Sequence, residues 1–407
     1  MKKGWEIKKL GDVCVLITDG THNTPTYLPN GIPFLSVKNL TNGTIDFTNT
    51  RFISNKEHKF LTKRCKPEKE DILYTKVGTT GIAKVIDIDK EFSIFVSVAL
   101  LKIKHDLIFN RYLEHYLNSP IAREQAKKRT RGMANKNLVI SDIKEIKISY
   151  PEALPEQKRI VAILDEAFVA IEKARTNAEK NLANAREVFD SYLNSTFSSK
   201  SEGWEDYKFG ELIDVLTDYH ANGSYQSLKA NVELKEVEDY AWMVRSTDFE
   251  NNFENDKRFI TEEAYNFLGK SKIFGNEIII SKIGNVGKVY LMPKIERPCS
   301  LAMNLFLIRV NKKKCQSEFV YRYLNSINGR RQIESRVLGT TTKTITKDNV
   351  RNIPVPVPQL NIQNQIILKL NELSAQTKRL EEIYKQKIAD LDELKKSILQ
   401  KAFEGEL

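Results

Sequence analysis

The sequence holds little cysteine, and what it holds is unpaired in pattern. Cys14, Cys65, Cys299 and Cys315 form no CxxC and no metal-ligand spacing, which reads as reduced thiols and not as a disulfide framework or a zinc site. The five histidines are equally scattered, so no zinc set is recognisable. No segment approaches the ~18 apolar residues of a membrane span. The opening "MKKGWEIKKLGD" has a positive end but lacks the apolar run of a secretory signal. These absences point to the cytoplasm.

Catalytic motifs are missing as well. The chain has no GxGxxG or GxxxxGK loop and no acidic-or-Asn, Pro-Pro, aromatic motif of the kind that holds a flipped base. It has no DEAD-type helicase box and no nuclease cluster of two acids and a lysine. The nearest glycine pairs, Gly78 with Gly81 and Gly284 with Gly287, enclose only two residues and recur at equivalent points. They read as tight turns, not nucleotide cradles. Most carboxylates lie on helical stretches, where a solvated face explains them. The chain is expected to be non-catalytic by itself, with no metal or cofactor of its own.

What is present is positive charge. With 64 Lys and Arg against 53 Asp and Glu, the net charge is +11, and the isoelectric point is near 9.2. A polyanionic partner, nucleic acid above all, fits that balance, although a basic protein without such a partner fits it too. At 407 residues the chain exceeds a usual single domain, so two or more cores are expected.

The sequence also repeats itself. "GWEIKKLGDVCVLITD" (4–19) lies over "GWEDYKFGELIDVLTD" (203–218), with seven of sixteen positions identical. "RFIS" (51–54) meets "RFIT" (258–261), and "DILYTKVGTTG" (71–81) meets "EIIISKIGNVG" (277–287). Gln157, Ile160 and Leu164 meet Gln363, Ile366 and Leu370, and Phe197 meets Phe403. This is a duplication of the whole chain, with the inserted residues after the second "TD". Each half runs through β-branched and aromatic stretches, a short amphipathic helix, a Gly-containing loop, a Pro-rich strand and a long helix.

The long helices carry a heptad seam. Ile160, Leu164, Ala167, Ile171, Ala174, Ala178, Ala185, Val188 and Tyr192 mark the first, with Asn181 as an exception. Ile366, Leu370, Leu373, Leu380, Tyr384, Leu391, Leu394 and Ile398 mark the second, with Thr377 and Lys387 as exceptions. Such a seam predicts helix-on-helix pairing, and Ile160, Leu164, Ile171, Leu370, Leu373, Leu380 and Leu391 are its expected contacts. Two helices docking separately on their own domains is the alternative. The expected fold is α+β, with two globular mixed α/β domains (1–150 and 201–357) separated by two long antiparallel coiled-coil helices (151–200 and 358–407), related by an internal pseudo-twofold repeat. Domains so related would present one surface in opposite senses, as two half-sites on opposite DNA strands require.

The stretches "ISDIKEIKISYPEALPEQKRIVAILDEA" (140–167) and "GTTTKTITKDNVRNIPVPVPQLNIQNQI" (339–366), the repeated "GW" openings and the closing "ELKKSILQKAFEGEL" resemble the specificity subunit of type I restriction-modification systems. The resemblance covers essentially the whole chain. It implies two target recognition domains, each reading one half of a split duplex DNA target. It also implies helices that dock methyltransferase subunits, two per specificity subunit, and through them restriction subunits. S-adenosylmethionine, ATP and Mg are then expected on those partners. Any N-terminal extension found in some relatives is expected to be missing or very short. A coiled-coil scaffold with incidental basic charge is the competing reading; a fused methyltransferase-nuclease is opposed by the missing motifs.

DNA contacts can be nominated. The basic element at 122–138 offers Arg129, Arg131, Lys136 and Asn137, and its counterpart offers Arg336, Thr340, Thr341, Thr342 and Lys343. Lys and Arg there would neutralise phosphates, and Arg and Asn would reach base edges. The loops with Lys76, Gly78, Thr79, Thr80 and Gly81, and with Lys282, Gly284, Asn285 and Lys288, fit either close phosphate approach or a plain hairpin turn. After the shared "TD" the halves diverge, which puts His22, Asn23, His220 and Asn222 in position either to meet bases or to shape turns. Loops of unequal length on a repeated scaffold predict an asymmetric target.

Overall fold

A computed structural model describes residues 3–41, 43–132, 136–198, 203–339 and 342–407. It resolves two compact units, Met1–Glu179 with Lys385–Leu407, and Lys180–Tyr384. Each unit is mixed α and β.

In the first unit an antiparallel sheet runs in the order Cys14–Asp19, Val98–Ile103, Ile72–Thr75, Ala83–Val85. A second sheet orders Arg51–Ile53, Ile32–Leu35 and Ser93–Ile94. The second unit repeats the first sheet as Ile213–Asp218, Leu305–Val310, Ile278–Ser281 and Val289–Leu291. Its other sheet gains a strand, Lys272–Ile273, beside Cys299–Leu301.

The central strands explain why their sequences are apolar throughout instead of alternating. Successive side chains of a strand point to opposite faces, and here both faces are covered. Ile72, Tyr74, Ala99 and Leu101 enter one core of the first unit, while Leu73, Val98 and Leu100 enter another. Ile278, Ile280, Phe306 and Ile308 separate from Ile279, Leu305 and Leu307 in the same way.

A two-stranded clamp closes each domain. Trp5–Lys9 pairs antiparallel with Lys147–Pro151, and Glu205–Lys208 with Pro354–Val357. The strand after each "GW" thus binds the strand that feeds a long helix. Buried glutamines then fix the helix starts. Gln157 donates to the carbonyls of Leu107 (3.0 Å) and Pro151 (2.8 Å) and accepts from the Phe109 amide (2.8 Å). Gln363 donates to Lys314 (3.1 Å) and Pro358 (2.8 Å) and accepts from Gln316 (2.9 Å). Tyr116 and Tyr323 donate from the short helices to the clamp carbonyls of Lys147 and Pro354.

The long helices, Leu154–Ser198 and Leu360–Glu404, contribute a segment to each unit. In the first unit they run antiparallel: Arg159 donates to the Leu407 carbonyl at 2.9 Å, Lys395 stands over the Phe168 ring, and Arg175 pairs with Asp392. In the second unit Arg186 pairs with Glu381 at 3.3 Å. Ile160, Leu164, Ile171, Ala178, Ala185 and Leu370 are buried, and Leu373 and Leu391 are half-buried.

The heptad expectation fails at several positions, one of them in the middle of the second helix. Leu380 is 41% exposed, and Val188, Tyr192 and Leu394 are exposed too. Burial moves instead to Phe189, Leu193 and Phe197 in the first helix and to Leu399, Ala402 and Phe403 in the second. Toward the helix ends the cause is an added neighbour, because Leu193 and Phe197, like Leu399, Ala402 and Phe403, enter a domain core as well as facing the other helix. Phe403 meets Tyr112 and Tyr116 edge-on at 5.3 and 5.0 Å; Phe197 meets Phe319 and Tyr323 at 5.4 and 5.5 Å. Thr377, expected to interrupt the seam, is buried and donates to the Ser374 carbonyl.

Candidate nucleic-acid interface

Two separately nominated strips converge in each domain. In the first, the loop after Ile72–Thr75 turns back through Gly78 and Gly81, whose φ angles are +78° and +88°, and Gly81 donates to the Thr75 carbonyl. The basic segment then pairs with that loop: Gly78 donates to the Lys136 carbonyl (2.9 Å), and Leu138 donates to the Lys76 carbonyl (2.7 Å). In the second domain the Ile283 and Leu338 positions bridge to Thr344. Gly284 and Gly287 again take positive φ. Both glycine pairs therefore serve a hairpin, which settles their conformational role.

Around these hairpins Gly78, Thr79, Arg131, Lys136, Gly284, Asn285, Lys288, Thr342 and Lys343 are exposed, and Thr80, Arg129, Asn137 and Arg336 are half-buried. Several have internal partners. Thr80 meets Thr130, Arg131 pairs with Asp142 at 3.1 Å, Lys288 holds Glu250 at 2.6 Å, and Arg129 and Arg336 donate to the carbonyls of Gln125 and Gln332. Thr340 and Thr341 lie outside the described residues.

Two nominated lysines have other duties. Lys76 is buried, with its ammonium 3.0 Å from Asp19. Lys282 stands 3.0 Å from Asp218, which also takes Lys347 at 3.1 Å. Burial opposes ionisation of Asp218, but hydrogen bonds from Lys282 and Lys347 hold its carboxyl below the ordinary range. An ammonium committed to a buried carboxylate is not free for a phosphate, so both lysines are corrected from DNA contacts to internal cations. The pairing was legible in principle, since each half repeats "TD" and, some sixty residues on, "TK" or "SK".

The divergent loops also differ in role. His22 and Asn23 are exposed, and His22 lies 3.3 Å from Asp19. His220 is exposed and edge-on to Tyr219. Asn222 is used inside its loop: it donates to the Tyr219 carbonyl and to Ser271 and accepts from the Lys270 amide. That amide side chain closes a turn and has no donor left for a base.

The duplicated fold has known parallels. The family model described as type I restriction modification DNA specificity domain matches this chain twice, over residues 2–180 and 201–389. The chain belongs to that family. It is 22% identical, over all of its length and 90% of the relative, to the EcoKI specificity subunit of Escherichia coli K12. It is 21% identical, over 99% of its length and 93% of the relative, to the MjaVIII specificity subunit of Methanocaldococcus jannaschii. Among solved structures, a chain from a study of complex assembly and conformational transition of the type I restriction-modification system superposes with a TM-score of 0.75 at 17% identity, covering 100% of this chain and 99% of that one. The HsdS subunit from Thermoanaerobacter tengcongensis superposes with a TM-score of 0.60 at 17% identity, covering 100% and 98%. Both halves of the chain are thus specificity domains, and each carries its own hairpin-and-loop surface. Among the described residues no cluster of His, Cys, Asp and Glu could hold a metal ion, and no helix is long and apolar enough to cross a membrane.

Proposed function

We propose that the chain is the DNA-recognition subunit of a type I restriction-modification complex, reading a split and asymmetric duplex target. The observation that carries this reading is the double family match on a duplicated fold. One specificity domain would read each half-site, and the different loops after Asp19 and Asp218 favour two different half-sites. The paired long helices set the gap between half-sites and offer docking surfaces for two methyltransferase subunits, with restriction subunits joining through those. The chemistry then belongs to the partners, which carry S-adenosylmethionine, ATP and Mg, and the complex works in the cytoplasm.

Methylation mapping by single-molecule sequencing tests this. DNA from cells expressing the chain with its methyltransferase subunit should carry a split, asymmetric methylated motif that is absent when the chain is absent. An assembled complex without any chain-dependent motif overturns the reading.

A further inference from the structure

The two domains treat the same structural position differently. "LTKR" at 61–64 corresponds to "LGKS" at 268–271, so Arg64 stands where the second domain has Ser271. Ser271 is fully buried and ties Asn222 into its loop. Arg64 instead reaches outward, with its side chain 55% exposed.

Arg64 is nonetheless held in place. Its Nη2 donates to the carbonyls of Asp19 (2.9 Å) and Gly20 (2.6 Å), and its Nη1 lies 3.4 Å from the Asp19 carboxylate. Asp19 is fixed from below by buried Lys76 and is met on its outer side by His22. The backbone here is equally constrained. A Cβ on Gly20 would fall 2.0 Å from the Ile94 carbonyl, and Thr21 donates to that same carbonyl at 3.2 Å. An arginine fork whose plane is locked while part of it faces solvent loses little freedom on binding.

Beside it lies an open hollow of about 410 Å³, whose lining includes His22, Asn23, Phe60, Lys63 and Arg64. Phe60 is 70% exposed at the end of a short helix, so its ring is open to an apolar contact from solvent. Pinned guanidinium, imidazole, amide and bare ring together supply the donors, acceptors and apolar face that base edges require.

We propose that this hollow is the base-reading site of the first specificity domain, with Arg64 donating to a guanine edge and Phe60 packing on a neighbouring base. The assignment rests on the DNA-recognition reading above and adds which residues determine one half-site. The second domain, with serine at the equivalent position, reads its half-site by other means.

The test uses the full chain co-expressed with its methyltransferase subunit, and maps the methylated motif for wild type, Arg64→Ala, Phe60→Ala and His22→Ala. Arg64→Ala should relax one guanine position of a single half-site by roughly tenfold or more, leaving the other half-site unchanged. Phe60→Ala should weaken discrimination in that same half-site. Phe60 and His22 are exposed, so their truncation opens no core. An unchanged motif in Arg64→Ala and Phe60→Ala overturns the assignment. So does equal loss at both half-sites, or abolished methylation in Arg64→Ala with Phe60→Ala and His22→Ala unaffected, which would make Arg64 purely structural. If wild type gives no chain-dependent motif, the DNA-recognition reading itself has failed.

Discussion

Replacing Gln157 isolates what attaches a long helix to its domain. The side chain is fully buried and makes three hydrogen bonds, to the Phe109 amide and to the carbonyls of Leu107 and Pro151. A buried polar group left without its partner costs about 1–3 kcal/mol, whereas each bond contributes only about 0.5–1.5 kcal/mol net when both partners exist. Gln157→Met keeps most of the volume but strands one donor and two acceptors. Carbonyls tolerate a missing partner better than amides, so the sum is about 3 kcal/mol. Amide exchange at Phe109 should then accelerate about a hundredfold, at tenfold per 1.4 kcal/mol. The urea midpoint of the first unit should fall by about 1–3 M at the usual slope of roughly 1–3 kcal/mol per M. Gln363→Met should do the same to the second unit, with Gln316 as the reporting amide. A Gln157→Met chain within about 0.5 kcal/mol of wild type would refute the claim that these bonds anchor the helix, since that is no more than an ordinary surface substitution changes.

Phe403→Ala should destabilise the first unit by about 3–5 kcal/mol, seen as faster proteolysis within residues 1–179, because Phe403 is buried against Tyr112 and Tyr116. Gly287→Ala should cost well over the roughly 1 kcal/mol of a left-handed residue, since its Cβ would fall 2.5 Å from Ile333; Gly284→Ala, with open space around it, should cost only that amount, and chemical denaturation compares the two. Burial lowers the pKa of His115 despite the Asp165 carboxylate 2.9 Å away, so the folded state takes up its proton less readily than the unfolded chain. Stability should therefore fall as pH drops below about 6.5 toward the depressed folded value, and His115→Gln should flatten that slope in urea titrations at successive pH values. Removing two turns in register from both long helices, about 10 Å at ~1.5 Å per residue, should shorten the accepted gap by about three base pairs at ~3.4 Å each; an unchanged gap in methylation mapping would refute the spacer role.

The duplication and the strand-to-helix junctions were legible because each is a local pattern repeated in register, and the family resemblance was read from the same stretches. The correspondence of Gln157 with Gln363 was visible too, but not its cause, since the six partners of those two amides lie on segments up to about fifty residues away. The candidate site was half legible. Charge and glycine spacing selected two strips that the fold brings together, yet a lysine beside two glycines looks the same in sequence whether it points at solvent or at a buried aspartate. Lys76 and Lys282 point at the aspartates, and Arg64 went unnoticed because nothing in "LTKRCK" distinguishes it from any other surface cation.

By itself the sequence determined that there are two halves, that each ends in a long helix, and that the halves differ most after a shared "TD". Those features follow from periodicity and repetition, which act between residues near in sequence. Only the tertiary structure decided that Phe403 completes the first unit while Phe197 completes the second, and which cations face outward. Such choices depend on which surfaces meet after the chain has folded back on itself, and burial then assigns each polar group a partner. Heptad spacing marks an apolar stripe on a helix. It carries no information about whether the next turn of that stripe will meet another helix or a domain core.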